Sequence, residues 1–249
     1  MSEEDPKEVR YDYMFLLEDG SHSMFSIRLD YESLRILSTP KEPLPDWTRL
    51  DFHQCRDCPL NVEEHPRCPV AANMVELIDD FRDHVSYKKV QVCVEGENRR
   101  CVAETTLQKG IGALMGIIMV TSGCPTLDRL RPLVETHLPF MDLGESTYRI
   151  LAMYLTAQYF RRRTDHSADW ELRDLVATLK RVEHVNQDFC ERLRSARIQD
   201  AALNALVNLN TSTGFTALAV QNDWLDRLEK LFLEHAGWEG QDVDGGSNP

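Results

Sequence analysis

Seven cysteines mark where this sequence could do chemistry, and three of them fall in one short loop. The loop reads Cys55-Arg56-Asp57-Cys58-Pro59-Leu60 and then His65-Pro66-Arg67-Cys68-Pro69-Val70. Two thiolates separated by two residues can bind one ion or cluster without straining the backbone, because the turn between them aims both sulfurs at a common point. A fourth ligand must come from elsewhere, and Cys124 is expected to supply it. It stands in Ser122-Gly123-Cys124-Pro125, where the glycine lets the chain turn out of an apolar helix and the proline stops that helix from continuing. His53, His65 and Cys101 are the alternatives for that position. Cys58, Cys68 and Cys124 each precede a proline, a pairing that recurs beside iron–sulfur ligands. The expected centre is therefore an iron–sulfur cluster, 4Fe-4S among the options, with zinc close behind.

Two other readings compete for these thiols. Free cysteine packs as a small apolar residue, and paired thiols can serve as a disulfide or a redox switch. Against packing, the loop is polar and broken by prolines. For Cys93, Cys101 and Cys190 packing is the better reading. A three-residue turn at 96–98 would nevertheless set Cys93 opposite Cys101, within reach of a reversible bridge. An odd cysteine count, with no charged and apolar leader visible at the amino terminus, points to reduced thiols in the cytoplasm.

Acid–base chemistry has two weaker candidates. Glu135 lies near His137, and Asp165, His166 and Asp169 cluster before Trp170, where Asp169 or Ser167 fits a helix N-cap better than a catalytic role. Gly110, Gly112 and Gly116 lack the spacing of a phosphate loop and lie in an apolar segment, so close helix packing accounts for them. No H-E-x-x-H, G-x-S-x-G or paired Glu-x-x-His motif occurs.

The elements that must hold these residues follow from periodicity. Residues 10–17 and 24–29 flank Glu18-Asp19-Gly20-Ser21-His22 as one hairpin, and residues 89–95 and 99–105 form a second. An isolated hairpin is marginal in water, so the two are expected to join in a four-stranded antiparallel sheet. Val70, Met74, Leu77, Ile78 and Phe81 recur at helical spacing over residues 69–84, which anchors the cysteine loop. After residue 106 only helical patterns follow, at 107–121, 127–136, 145–163, 170–194, 199–209 and 224–235. Asp223 and the Gly144-Glu145 pair mark helix entries, and Gly237 marks a break. On the helix at 145–163, Tyr148, Leu151, Leu155 and Tyr159 are expected to form the buried face. This is the α+β order: a sheet with an inserted cysteine loop and helix over residues 10–105, packed on a helical region sharing its core over 106–238. Residues 1–9 and 239–249 read as disordered tails.

With 42% hydrophobic and 28% charged residues, the composition is that of a globular protein. The net charge of −13 opposes binding to nucleic acid or anionic lipid, and Arg161-Arg162-Arg163 reads as the carbonyl end of a helix. The most apolar stretch, residues 111–120, is about half of the roughly 20 residues a spanning helix needs. The expected partner is another protein, with no membrane and no nucleic acid.

The combination Leu50-Asp51-Phe52-His53-Gln54-Cys55, Cys58-Pro59-Leu60, Cys68-Pro69-Val70, Ser122-Gly123-Cys124-Pro125 and Leu130-Arg131-Pro132-Leu133 resembles an uncharacterised family of bacterial proteins carrying a domain of unknown function. The resemblance runs from the first hairpin to about Leu209 and implies a bacterial cytosolic protein without assigning an activity. Function is thus read from the residues: a cysteine-ligated metalloprotein acting as a redox- or metal-responsive regulatory module or an electron carrier. The alternatives are an interaction module stapled by structural zinc and an enzyme that uses the centre.

Overall fold

Alternating side chains build the first layer. Tyr11, Tyr13, Phe15 and Leu17 are buried along strand β1 (Glu8–Leu17), while the residues between them face outward. Strand β2 (His22–Asp30) pairs with one edge of β1, and β3 (Lys89–Glu95) pairs antiparallel with the other. Strand β4 (Arg100–Thr106) follows, so the computed structural model, which describes residues 7–198, 201–219 and 224–236, has the expected four-stranded antiparallel sheet in the order β2-β1-β3-β4. Val90, Val92 and Val94 continue the apolar face, and Arg10, Asp12, Ser26 and Arg28 lie on the other. A sheet with one wet face and one dry face needs a second layer on the dry side.

Helices provide it. α1 (Pro69–Asp80) brings Phe81, just past its end, onto Phe15 and Phe25, with ring centroids 5.0 and 5.7 Å apart. α2 (Leu107–Thr121) lies against the sheet at Gly110, where an added Cβ would stand 2.7 Å from Val92 Cγ2 and 2.9 Å from Phe15 Cε1. Glycine there sets the distance between layers, as the packing reading of the glycines requires. A 3-10 helix (Leu127–Thr136), α3 (Leu143–Arg163), α4 (Arg173–Ser195), α5 (Ala201–Ala219) and α6 (Trp224–Ala236) complete the chain. The main core joins the sheet to α1, α2, α4 and α5. A smaller one gathers Ile150, Leu151, Leu175, Leu179 and Ala217.

Several expectations need correction. The turn between β3 and β4 holds residues 96–99, so Cys93 opposes Val102 and Cys101 opposes Val94. One residue of register moves a strand's side chains to the other face; Cys93 and Cys101 therefore point to opposite sides of the sheet, and the bridge between them is ruled out. On α3 the expected face is rotated: Leu151 is buried, but Tyr148 and Tyr159 are exposed, and Thr147, Ile150 and Gln158 are buried instead. Two polar residues can face inward there because they are satisfied. Thr147 donates to the Leu143 carbonyl, and Gln158 accepts from the Asp169 amide. The segment at 127–136 is a 3-10 helix with Pro132 inside it.

Helix ends also shift. α3 starts from Asp142, whose side chain forms a capping box with Glu145. α4 starts only at Arg173, with Leu172 in a left-handed conformation as its N-cap in place of the expected Asp169 or Ser167, although Asp169 does accept from the Asp174 amide. α5 continues ten residues past the expected stop at 209. Thr211, Ser212 and Thr213 are accommodated by donating to carbonyls four residues back. The expected start at Gln199, the entry at Asp223, the break at Gly237, the tail at 239–249 and residues 1–6 of the amino-terminal tail lie outside the described residues.

Candidate metal centre

The cysteine loop is built by short local bonds. Asn61 caps the Glu63 amide, and an isolated bridge pairs Arg49 with Arg67. The Leu50 amide donates to Pro66, and the Cys68 amide donates to Thr48. Arg67 ties this base down through the Pro45 carbonyl and the Thr48 hydroxyl. Within the loop, the Cys58 amide donates to the Cys55 carbonyl at 3.0 Å. That closes the tight turn expected between two ligands two residues apart.

Cys68 and Cys124 are held by one repeated device. Cys68 is the N-cap of α1, with Pro69 in the first turn; it makes no side-chain cap hydrogen bond, but the nearby amides of Val70 and Ala71 favour its thiolate. Cys124 follows Gly123, whose φ of +95° turns the chain out of α2, and the nearby amides of Thr126 and Leu127 favour its thiolate. In both, a proline without an N–H follows the cysteine and the next two amides favour a thiolate there. This explains physically why proline suits these positions: it begins a helical turn whose first free N–H groups favour a thiolate.

The loop is then fastened to α4 along one stripe. His184 Nδ1 meets Asp57 Oδ2 at 2.7 Å. Asp188 accepts from the Arg56 side chain and, at 2.8 Å, from its backbone amide. Arg192 donates to the carbonyls of Trp47, Arg49, Leu50 and His53. His184, Asp188 and Arg192 recur every four residues on one side of the helix. Burial opposes ionisation of Asp188, but its bonds with Arg56 prevail and hold its carboxyl below the usual range.

Four thiols feel one another's charge where these devices join. Burial foremost, and then the charges of Cys68, Asp188, Cys58 and Cys124, push the Cys55 thiol up to about 12. Burial also raises Cys68 and Cys124, opposed at Cys68 by Arg192 and at both by the nearby amides. Each of these three thiols senses Cys58. The structure therefore brings Cys55, Cys58, Cys68 and Cys124 within electrostatic reach of one another. Among the described residues, no group of three or more His, Cys, Asp or Glu stands at metal-holding spacing. Of the alternative fourth ligands, His53 and His65 are exposed, and Cys101 lies on β4 opposite Val94.

The profile of a protein family described as a domain of unknown function (DUF6901) matches residues 9–233. The chain belongs to this family. No curated protein and no solved structure matches it. In this DUF6901 chain the thiol neighbourhood therefore has to be read from its own chemistry. Four sulfurs, two with amides that favour the thiolate and one inside a tight turn, suit a soft or borderline metal or an iron–sulfur cluster.

The remaining candidates resolve differently. His137 sits beneath the sheet, sharing a 2.5 Å hydrogen bond with the Tyr13 hydroxyl, and burial brings it down to about 4. His166 is exposed and contacts Thr164. Cys93 is buried and accepts from Arg100, while Cys190 is buried in the main core. Sequence reasoning missed the stripe on α4. Its signal was present, since His184, Asp188 and Arg192 lie at helical spacing within a segment already read as helix.

Proposed function

We propose that this DUF6901 chain is a cysteine-ligated metalloprotein in which Cys55, Cys58, Cys68 and Cys124 hold an iron–sulfur cluster or zinc, serving as a redox- or metal-responsive regulatory module or an electron carrier. The observation that carries this reading is the pair of matching Cys-Pro turns, at Cys68 and Cys124, set beside the turn of Cys55 and Cys58. Thiols packed merely as apolar residues have no need of neighbouring amides that favour the thiolate. Four cysteine ligands close a coordination sphere, which favours electron transfer or structure over Lewis-acid catalysis. Thiol ligands suit the reducing cytoplasm. A charge of −13 favours a protein partner over nucleic acid. Among the described residues no helix is long and apolar enough to cross a membrane.

A structural zinc in an interaction module is the second reading. It draws on the same geometry, since the centre would join a loop, the start of α1, the end of α2 and, through the loop, α4. The deciding experiment is anaerobic purification followed by a visible spectrum and analysis for iron, zinc and sulfide. Broad absorption near 400 nm with iron and sulfide selects the cluster, and a colourless protein with stoichiometric zinc selects the staple. Metal-free protein that takes up neither contradicts the proposal.

A further inference from the structure

Arg192 is 1% exposed, among the largest fully buried side chains of the protein. Burying a guanidinium costs several kcal/mol unless a counter-charge accompanies it. Among the described residues no carboxylate forms an ion pair with it. Asp51 senses its charge, but Asp51 is exposed and already paired with Arg49. Four peptide carbonyls satisfy the two terminal nitrogens, and the Nε–H is left buried without an acceptor. A native interior seldom leaves a charged donor unmatched in this way.

All four carbonyls belong to residues 47–53, which lead directly into Cys55. The guanidinium also acts on the Cys68 sulfur. An anion at the thiol site would supply the partner that this guanidinium lacks. A divalent metal with four thiolates is dianionic, and a cluster with the same ligands is anionic as well. From this, and resting on the metalloprotein reading above, we infer that Arg192 is the built-in counter-charge of the metal centre, offsetting the excess negative charge of its thiolates while it straps the loop in place. It is a positioning and charge-matching residue rather than a ligand. The inference explains why a cation without an ion-pair partner is buried in a protein of net charge −13.

The test compares Arg192→Met, which keeps the length and removes the charge, with Arg192→Lys, which keeps the charge and loses the fork of hydrogen bonds. Zn2+ affinity would be measured on reduced full-length protein by competition with a chromophoric chelator, with circular dichroism to check folding. Arg192→Met should weaken Zn2+ binding by roughly 10–100-fold, the range typical of groups behind metal ligands, and Arg192→Lys should recover most of that loss. Equal binding by wild type and Arg192→Met overturns the inference. So does an equal loss in both variants, which would reduce Arg192 to a hydrogen-bonding strap. Should Arg192→Met not fold, the Arg192 Nε–H resonance of nitrogen-labelled wild-type protein decides: it should move and gain protection as Zn2+ is added, and no change overturns the inference. Wild-type protein that takes up no Zn2+ contradicts the metalloprotein reading itself, whereas normal uptake with indifferent variants contradicts only the role of Arg192.

Discussion

Single residues carry two separable claims. Cys124 and Cys190 are both half-buried or buried thiols packed with the main core, yet only Cys124 has amides that favour its thiolate and neighbours among the loop cysteines. Cys124→Ser is therefore expected to lose bound metal and to raise proteolytic cleavage within residues 55–68, while Cys190→Ser keeps both as in wild type; identical behaviour of the two would remove Cys124 from the site. His137 gives a pH dependence whose sign is fixed by its burial. Its ordinary value of 6.5 falls to about 4 in the folded protein, so between those values the unfolded chain binds the extra proton. The contribution is fully present above about 6.5 and is lost as pH falls through about 4, up to about 3 kcal/mol in all. Urea unfolding of wild type should lose stability across that window, and His137→Gln should flatten the slope; an unchanged slope in the variant would show that other groups produce it. The cysteine grouping was legible because Cys55, Cys58 and Cys68 stand close together in the sequence. Arg192 was not, because nothing in a sequence shows that an arginine on a helix will end buried beneath a distant loop.

Elements were readable wherever burial alone sets the pattern. Alternation placed all four strands and the helical period placed α2, but the register of β3 and β4 depended on one residue of turn length, which composition does not encode. The face of α3 was misread because Thr147 and Gln158 are buried through hydrogen bonds, whereas aromatic Tyr148 and Tyr159 stay exposed. Two glycines show how packing overrides propensity. At Gly110 on α2 a Cβ would meet Val92 and Phe15 at 2.7 and 2.9 Å, both fixed in the core. Gly110→Ala should thus destabilise by roughly 1–3 kcal/mol despite the better helix propensity of alanine. At Gly214 on α5 a Cβ meets nothing within 4 Å, so Gly214→Ala should stabilise by roughly 0.5–1 kcal/mol. Thermal unfolding of the two variants checks both signs, and a shift in the same direction for both would refute the account of layer spacing.

At the scale of the whole molecule, the proposed site would join segments distant in sequence. The cysteine loop fastens to α4 through contacts that span more than a hundred residues, from Asp57 to His184 and from Arg56 to Asp188. On the proposed reading, metal binding and folding are one equilibrium. Zn2+ at 1,000 times its Kd should add about 4 kcal/mol to the stability of the whole chain, and a chelator should remove it; an unfolding midpoint indifferent to metal would disconnect the site from the fold. The central claim is that four sulfurs bind one centre, and it is tested most directly by metal-edge X-ray absorption on the anaerobically purified protein. The account predicts an all-sulfur first shell of four ligands at about 2.3 Å, from zinc or from iron. A first shell of nitrogen and oxygen, or fewer than three sulfurs per metal, would contradict it.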